Sequence, residues 1–225
     1  MATRQPPREH GEKPDDAGGG DEPREEGGAR GHSPSSEVPE VLRGRSPREI
    51  LARLVEGDPL EIEARCRERI ETLALLVDLQ RLHLRTAARV AHAAPSWRGE
   101  PPISEWLADR IEVSMRELIR EDFEAERSGI PPEKPWDPRY AFVSEALGVE
   151  PALARRACVA FNKLPLEVRC VYFAVAVQGK TVNRHVAEGH GPPEKARAQL
   201  KMAVQAISKA IGRPLGGEGG LHGWA

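Results

Sequence analysis

The chain has 225 residues, a formal net charge of −2, 39% hydrophobic residues and 30% charged residues. A balance this close to neutral excludes bulk attraction to a polyanion as an argument by itself, so any such partner must be met by a local basic face. No window of about 18 apolar residues is present, which excludes a membrane-spanning helix as an expectation.

Residues 1–45 hold eight glycines and six prolines, and almost no branched aliphatic side chain precedes Val38. Acids outnumber Lys and Arg there. Such a segment buries too little apolar surface to offset its ordering entropy and is expected to be a disordered acidic tail. No apolar run follows Met1, so no secretory leader is expected and a cytoplasmic location is. From residue 46 the pattern turns helical. SPRE (46–49) offers Ser46 as N-cap, Pro47 at the first helical position and Glu49 at the third, and the helix stops at Gly57. Asp58-Pro59 opens a second helical stretch that runs to Pro95, long enough that a break inside it is expected. A turn at 96–104 then places Ser104 as N-cap of a helix reaching about Arg127. Leu107, Ile111, Met115, Leu118, Ile119 and Phe123 make its buried stripe.

The Pro-rich stretch 128–138 reads as a linker between a helical unit at 46–127 and a second one at 139–213, with a flexible tail at 214–225. Helices are expected at 138–147, 150–163, 165–178, 181–189 and 193–211. The run CVYFAVAV (170–177) is apolar enough for a strand, yet its length and the preceding LP-x-E favour a buried helix. No strand alternation, hairpin turn or internal repeat is present, so the fold class is all-α.

The last two helices have the order of a helix-turn-helix. In the first, Val182, Val186 and Ala187 are expected to face inward, and Gly191 with two prolines makes the turn. In the second, Ala196, Leu200, Ala203, Val204, Ile207 and Ile211 form the inner stripe. Counting 100° per residue leaves Lys195, Ala198, Gln199 and Met202 outward, flanked by Arg197 and Lys201. Residues 179–213 carry Lys180, Arg184, Lys195, Arg197, Lys201, Lys209 and Arg213 against only Glu188 and Glu194. Small or amide side chains beside cations suit a helix that approaches base edges while its flanks meet phosphates.

KLPLEVRCVYFAVAVQGKTVNRHVAEGHGPPEKARAQLKMAVQAI (163–207) resembles the C-terminal region 4 of bacterial extracytoplasmic-function sigma factors. Leu164, Pro165 and Arg169 fit that family's LP-x-x-x-R opening, Gly179 its helix break, and Ala187 and Gly191 its Ala-x-x-x-Gly helix end. WRGEPPISEWLADRIEVSMRELIRED (97–122) is similar to the end of the family's region 2, with Trp97, Arg98, Gly99, Trp106 and Leu107 matching. The resemblance implies an all-helical protein that binds double-stranded DNA in transcription initiation or its regulation. It also implies RNA polymerase core as a partner. The docking patch, acidic and glutamine-containing in the family, here reads RLHLR (81–85), so that motif is weakened. The family's region 2 helix ends basic and partly aromatic, whereas this one ends REDFEAERSG.

These patterns lead to a sigma-factor-like DNA-binding protein. Lys195, Gln199 and Met202 are expected nearest the bases, and Lys180, Arg184, Arg197 and Lys201 at the phosphates. The other reading is a diverged scaffold that engages or sequesters a regulatory protein through its acidic helix at 112–126, without binding DNA. No nucleophile elbow, phosphate-binding glycine loop or apolar acid pair supports an enzyme, and no cofactor is expected. Cys66, Cys158 and Cys170 form no CxxC pair and read as buried small hydrophobes. His185 and His190, with Glu188 between them, are spaced i, i+5. That does not put both imidazoles on one helix face, so no metal site is expected.

Overall fold

The computed structural model describes residues 38–129 and 140–215. Among them lie nine α-helices and no strand: α1 (Pro47–Gly57), α2 (Ile62–Leu73), α3 (Leu79–Ala93), α4 (Ile103–Arg127), α5 (Ala141–Leu147), α6 (Pro151–Asn162), α7 (Leu166–Tyr172), α8 (Val182–Ala187) and α9 (Pro193–Ile211). The fold is all-α, and no described helix is long and apolar enough to cross a membrane. The expected linker falls mostly outside the described residues, as does most of the tail expected at 214–225.

Local signals set most helix ends. Ser46 and Glu49 form a reciprocal capping box, the serine hydroxyl accepting from Glu49 N–H and the glutamate accepting from Ser46 N–H at 3.1 Å. Asp58 adopts a left-handed backbone, and its carboxylate accepts from the N–H groups of both Ile62 and Glu63 at 2.8 Å, capping α2 from four residues upstream. The stretch from Asp58-Pro59 to Pro95, in which a break is expected, divides at Ala74. That residue takes φ +46°, and α3 restarts behind Asp78, whose carboxylate accepts from Arg81 N–H. A left-handed alanine costs about 1–2 kcal/mol. Burial of Ala74, Leu75 and Leu76 offsets it. Ser104 is not the N-cap of α4, which begins one residue earlier, after Pro102.

Two cores follow from the buried faces. The first gathers Ile50, Leu54, Ile62, Cys66, Leu82, Leu107, Met115 and Leu118 from α1–α4. Trp97 and Trp106 close it, their rings stacked at 4.9 Å, with Trp97 Nε1 donating to the Pro101 carbonyl. Leu42 is buried in this core and Val38 and Val41 pack on it, so residues 38–45, expected as part of a disordered tail over 1–45, belong to the fold; the rest of that expected tail, 1–37, lies outside the described residues. The second core gathers Val143, Cys158, Phe161, Tyr172, Ala203, Ile207 and Ile211 from α5, α6, α7 and α9. Cys66 and Cys158 are buried and Cys170 is half-buried against the first core, and burial pushes the Cys66 thiol up to about 11. Inert packing suits all three.

The two cores are stitched together. Leu76, from the break before α3, packs in the second core, and Phe173 packs in the first. The Asn162 side-chain amide donates to the Leu76 carbonyl at 3.1 Å and accepts from Leu76 N–H at 2.9 Å. Tyr140 donates to Asp122, and Glu126 accepts ion pairs from Arg155 and Arg156. Residues 38–129 and 140–215 thus belong to a single compact unit.

CVYFAVAV is helical, as expected, with a modification. After α7 the chain continues as a π turn over Phe173–Val177, where Gln178 N–H reaches back to the Phe173 carbonyl. Consecutive residues there serve different cores, Tyr172 the second and Phe173 the first.

Candidate nucleic-acid interface

The π turn ends at Gly179, whose φ of +66° redirects the chain, and Thr181 caps α8 by accepting from Arg184 N–H at 3.2 Å. Helix α8 is six residues long. Val182 and Val186 are half-buried, as expected, but Ala187 is exposed, and the inward position belongs to His185, only 4% exposed. The reason is that α8 ends at Ala187, so this residue lies at the lip of the turn and not over the core. Gly189 (φ +94°) and Gly191 (φ +91°) make the reversal, and Pro192-Pro193 opens α9. This is the helix-turn-helix order read from the sequence.

Helix α9 presents two faces. Ala196, Ala203, Ile207 and Ile211 are buried, with Leu200 and Val204 half-buried beside them. On the other side Lys195, Arg197, Lys201 and Met202 are exposed and Gln199 is half-buried, Met202 keeping 49% of its surface in solvent. Beyond its C-cap Gly212, the Arg213 guanidinium donates to the carbonyls of Leu147 and Gly148, which fixes the far end of the helix.

Two carboxylates govern four of the seven expected contact residues, and neither was singled out from sequence for that role. Glu167, at the start of α7, pairs with Lys195 Nζ at 2.9 Å and accepts from Gln199 Nε2 at 3.2 Å. Glu188, at the end of α8, pairs with Lys180 Nζ at 2.8 Å and lies 3.5 Å from Arg184 Nε. The Lys195 hydrogen bond holds the Glu167 carboxyl below the usual carboxylate range, and the Lys180 hydrogen bond does the same for Glu188. Both acids lie at the surface, where such pairs are weak and exchange readily for another anion. Among the described residues, Arg197 and Lys201 have no carboxylate within ion-pair range. The i, i+4 relation of Arg184 to Glu188 is legible in the sequence. The Glu167–Lys195 pair spans two helices and is not.

The structure corrects the expectation that His185 and His190 stand apart. Their rings are stacked at 4.3 Å with planes 13° apart, and with Glu188 each offers one ligand atom, all within 4.8 Å of one another. Helical counting failed because the chain leaves the helix before His190, and Gly189 swings that residue back over α8. Burial, then the neighbouring His190 and Lys180, hold the His185 imidazole below its ordinary value despite Glu188.

The acidic helix expected as a partner face has a different use. Glu117, Glu121 and Asp122 of α4 pair with Arg81, Arg85 and Arg89 of α3, and Glu112 pairs with Arg69 of α2. The same contacts occupy Arg81 and Arg85, the cations of RLHLR. Away from α9, a cavity of about 710 Å³ opens between α1–α3 and the second core. Val55, Leu84 and Phe142 at its edge are exposed. No protein-family model, curated protein or solved structure matches the chain.

Proposed function

We propose that this chain binds double-stranded DNA through α8, the Gly-Pro-Pro turn and α9, in the manner of a sigma-factor-like protein of transcription initiation or its regulation. The observation that carries the reading is the two-faced α9. Its apolar stripe is spent in the core, while Arg197, Lys201 and Met202 face solvent beside Lys195 and Gln199. A phosphate backbone supplies anions that substitute for Glu167 and Glu188, so four further polar groups become contacts without rearrangement of the helices. Arg81 and Arg85 are engaged with α4, which argues against polymerase docking through RLHLR.

A salt titration of the full chain on random duplex DNA tests the reading. Each phosphate contact adds about 0.9 to the slope of log affinity against log salt. The expected slope corresponds to several contacts, and the Arg197→Ala, Lys201→Ala double variant lowers it by about two. The reading is abandoned if the intact chain shows no binding at low salt. A regulatory protein as partner, without DNA binding, is the second reading. The exposed Val55, Leu84 and Phe142 around the cavity favour it, whereas the paired acids of α4 do not.

A further inference from the structure

We propose that His185, Glu188 and His190 are the ligands of a divalent transition-metal ion, and that the ion pins the turn between α8 and α9 while taking Glu188 away from Lys180 and Arg184. Three features of the cluster carry this. It holds two imidazoles and one carboxylate, a donor set that suits zinc, cobalt, nickel or copper and is too nitrogen-rich for calcium or magnesium. The ligand atoms already lie within 4.8 Å of one another although the residues come from a helix, its cap and a turn. Each donor is held differently: His185 is buried in place, Glu188 is fixed by two cations, and His190 is exposed on the turn.

Two donors sharing one tetrahedral ion at about 2.1 Å stand about 3.4 Å apart, and the in-plane lone pairs of two stacked rings do not converge, so the cluster must contract and the His190 ring must turn out of the stack. Its parts permit that. His190 is exposed between Gly189 and Gly191, both at positive φ with nothing within 4 Å of where a Cβ would stand, so this segment has room to shift without disturbing either core. His185 supplies the fixed point. Three protein ligands leave a fourth position for water, the arrangement of an open site.

The electrostatic consequence follows from the same distances. Lys180 Nζ is 2.8 Å from Glu188 Oε2 and Arg184 Nε is 3.5 Å from Oε1, so each oxygen of the carboxylate that would take the ion already faces a cation. A doubly charged ion bound to that carboxylate cancels its negative charge and repels the ammonium, and a surface pair this weak gives way to it. Lys180 and Arg184 then turn outward, and the helix pair gains cations facing solvent where Glu188 had held them. This coupling rests on the DNA-binding reading; the metal site itself does not.

Cobalt(II) titrated into the full chain without DNA is the first measurement, read by its visible absorption, with zinc(II) added to displace it. One equivalent with intense tetrahedral bands is expected. His190→Ala, at an exposed turn position, and Glu188→Gln are each expected to weaken binding by at least about tenfold. Unchanged binding in both variants would assign the cobalt to other histidines as an adventitious ion only and overturn the site. His185→Ala removes a buried ring, so it is judged only if its thermal unfolding remains cooperative. The second measurement repeats the DNA salt titration with stoichiometric zinc(II), expecting tighter binding and a steeper slope in the intact chain and no response in His190→Ala. Metal binding without any effect on DNA affinity overturns the coupling and leaves the site standing. DNA binding that fails with and without zinc, beside intact cobalt spectra, overturns the DNA reading alone.

Discussion

The α3–α4 seam and the α8–α9 pair are both rich in charge, and they dispose of it in opposite ways. Along the seam Arg81, Arg85 and Arg89 each meet a carboxylate of α4, and Arg81 and Asp122 are mostly shielded, with 18% and 13% of their side-chain surface exposed. On the helix pair, Glu167 and Glu188 hold four groups at the surface while Arg197 and Lys201 have no such partner among the described residues. Charge summed along a sequence is therefore a poor guide to the field a partner meets. What counts is which cations the fold has already neutralised. The acids of α4 resemble an interaction surface in sequence and serve as an internal clamp.

The strongest way to break this contrast is Arg81→Met, which leaves Glu121 with Arg85 alone and the shielded Asp122 with only the Tyr140 hydroxyl. We expect a loss of about 2–3 kcal/mol in urea denaturation, with DNA affinity per folded molecule unchanged. A loss below about 0.5 kcal/mol would mean that the seam behaves like ordinary surface pairs. Acid gives a second test. Burial raises the Glu121 carboxyl, but Arg85 and Arg81 outweigh it and hold the group below its ordinary value. A carboxyl depressed in the folded state adds stability that is present above its unfolded pKa of about 4.3 and is lost as pH falls through the depressed value. The melting temperature of the chain should fall through that range, and Glu121→Gln should flatten the fall.

The helix pair is probed by smaller effects. Arg197→Ala should leave stability within about 0.5 kcal/mol, weaken DNA binding to all sequences alike and flatten the salt slope by about one. Affinity unaltered by the change would remove Arg197 from the interface. Smallest of all, Glu167→Gln should tighten DNA binding modestly by releasing Lys195 and Gln199, with a slope steeper by no more than about one. Weaker binding in that variant would show instead that Glu167 aims Lys195 at a phosphate.

Much of the fold is legible in the sequence because local rules agree with it. Ser46 and Glu49 announce α1, the stripe from Leu107 to Leu118 announces α4, and the inner residues of α9 were identified in full. Length alone predicts a break between Asp58 and Pro95, but its place at Ala74 is not legible, since nothing marks an alanine for a left-handed backbone; the cost is offset by Leu75 packing in the first core and Leu76 in the second. The exposed face of α9 follows from counting. Its restraint by Glu167 does not, because that contact joins positions 28 residues apart across two helices. The meeting of His185 and His190 was missed for a related reason. Helical periodicity ends where the helix does, and Gly189 and Gly191 mark that end only when they are read as left-handed positions.

The π turn at Phe173–Val177 bears on insertions and deletions. Closing from Gln178 back to Phe173, it spans one residue more than an α turn. Removing one residue within FAVAV converts it to a regular turn, and Gly179 and everything beyond it keep their orientation. The same deletion inside α6 has no slack to absorb it and rotates the remaining face by about 100°. Among the helices of the second core, a one-residue deletion is thus most easily accommodated immediately before the segment that carries α8 and α9.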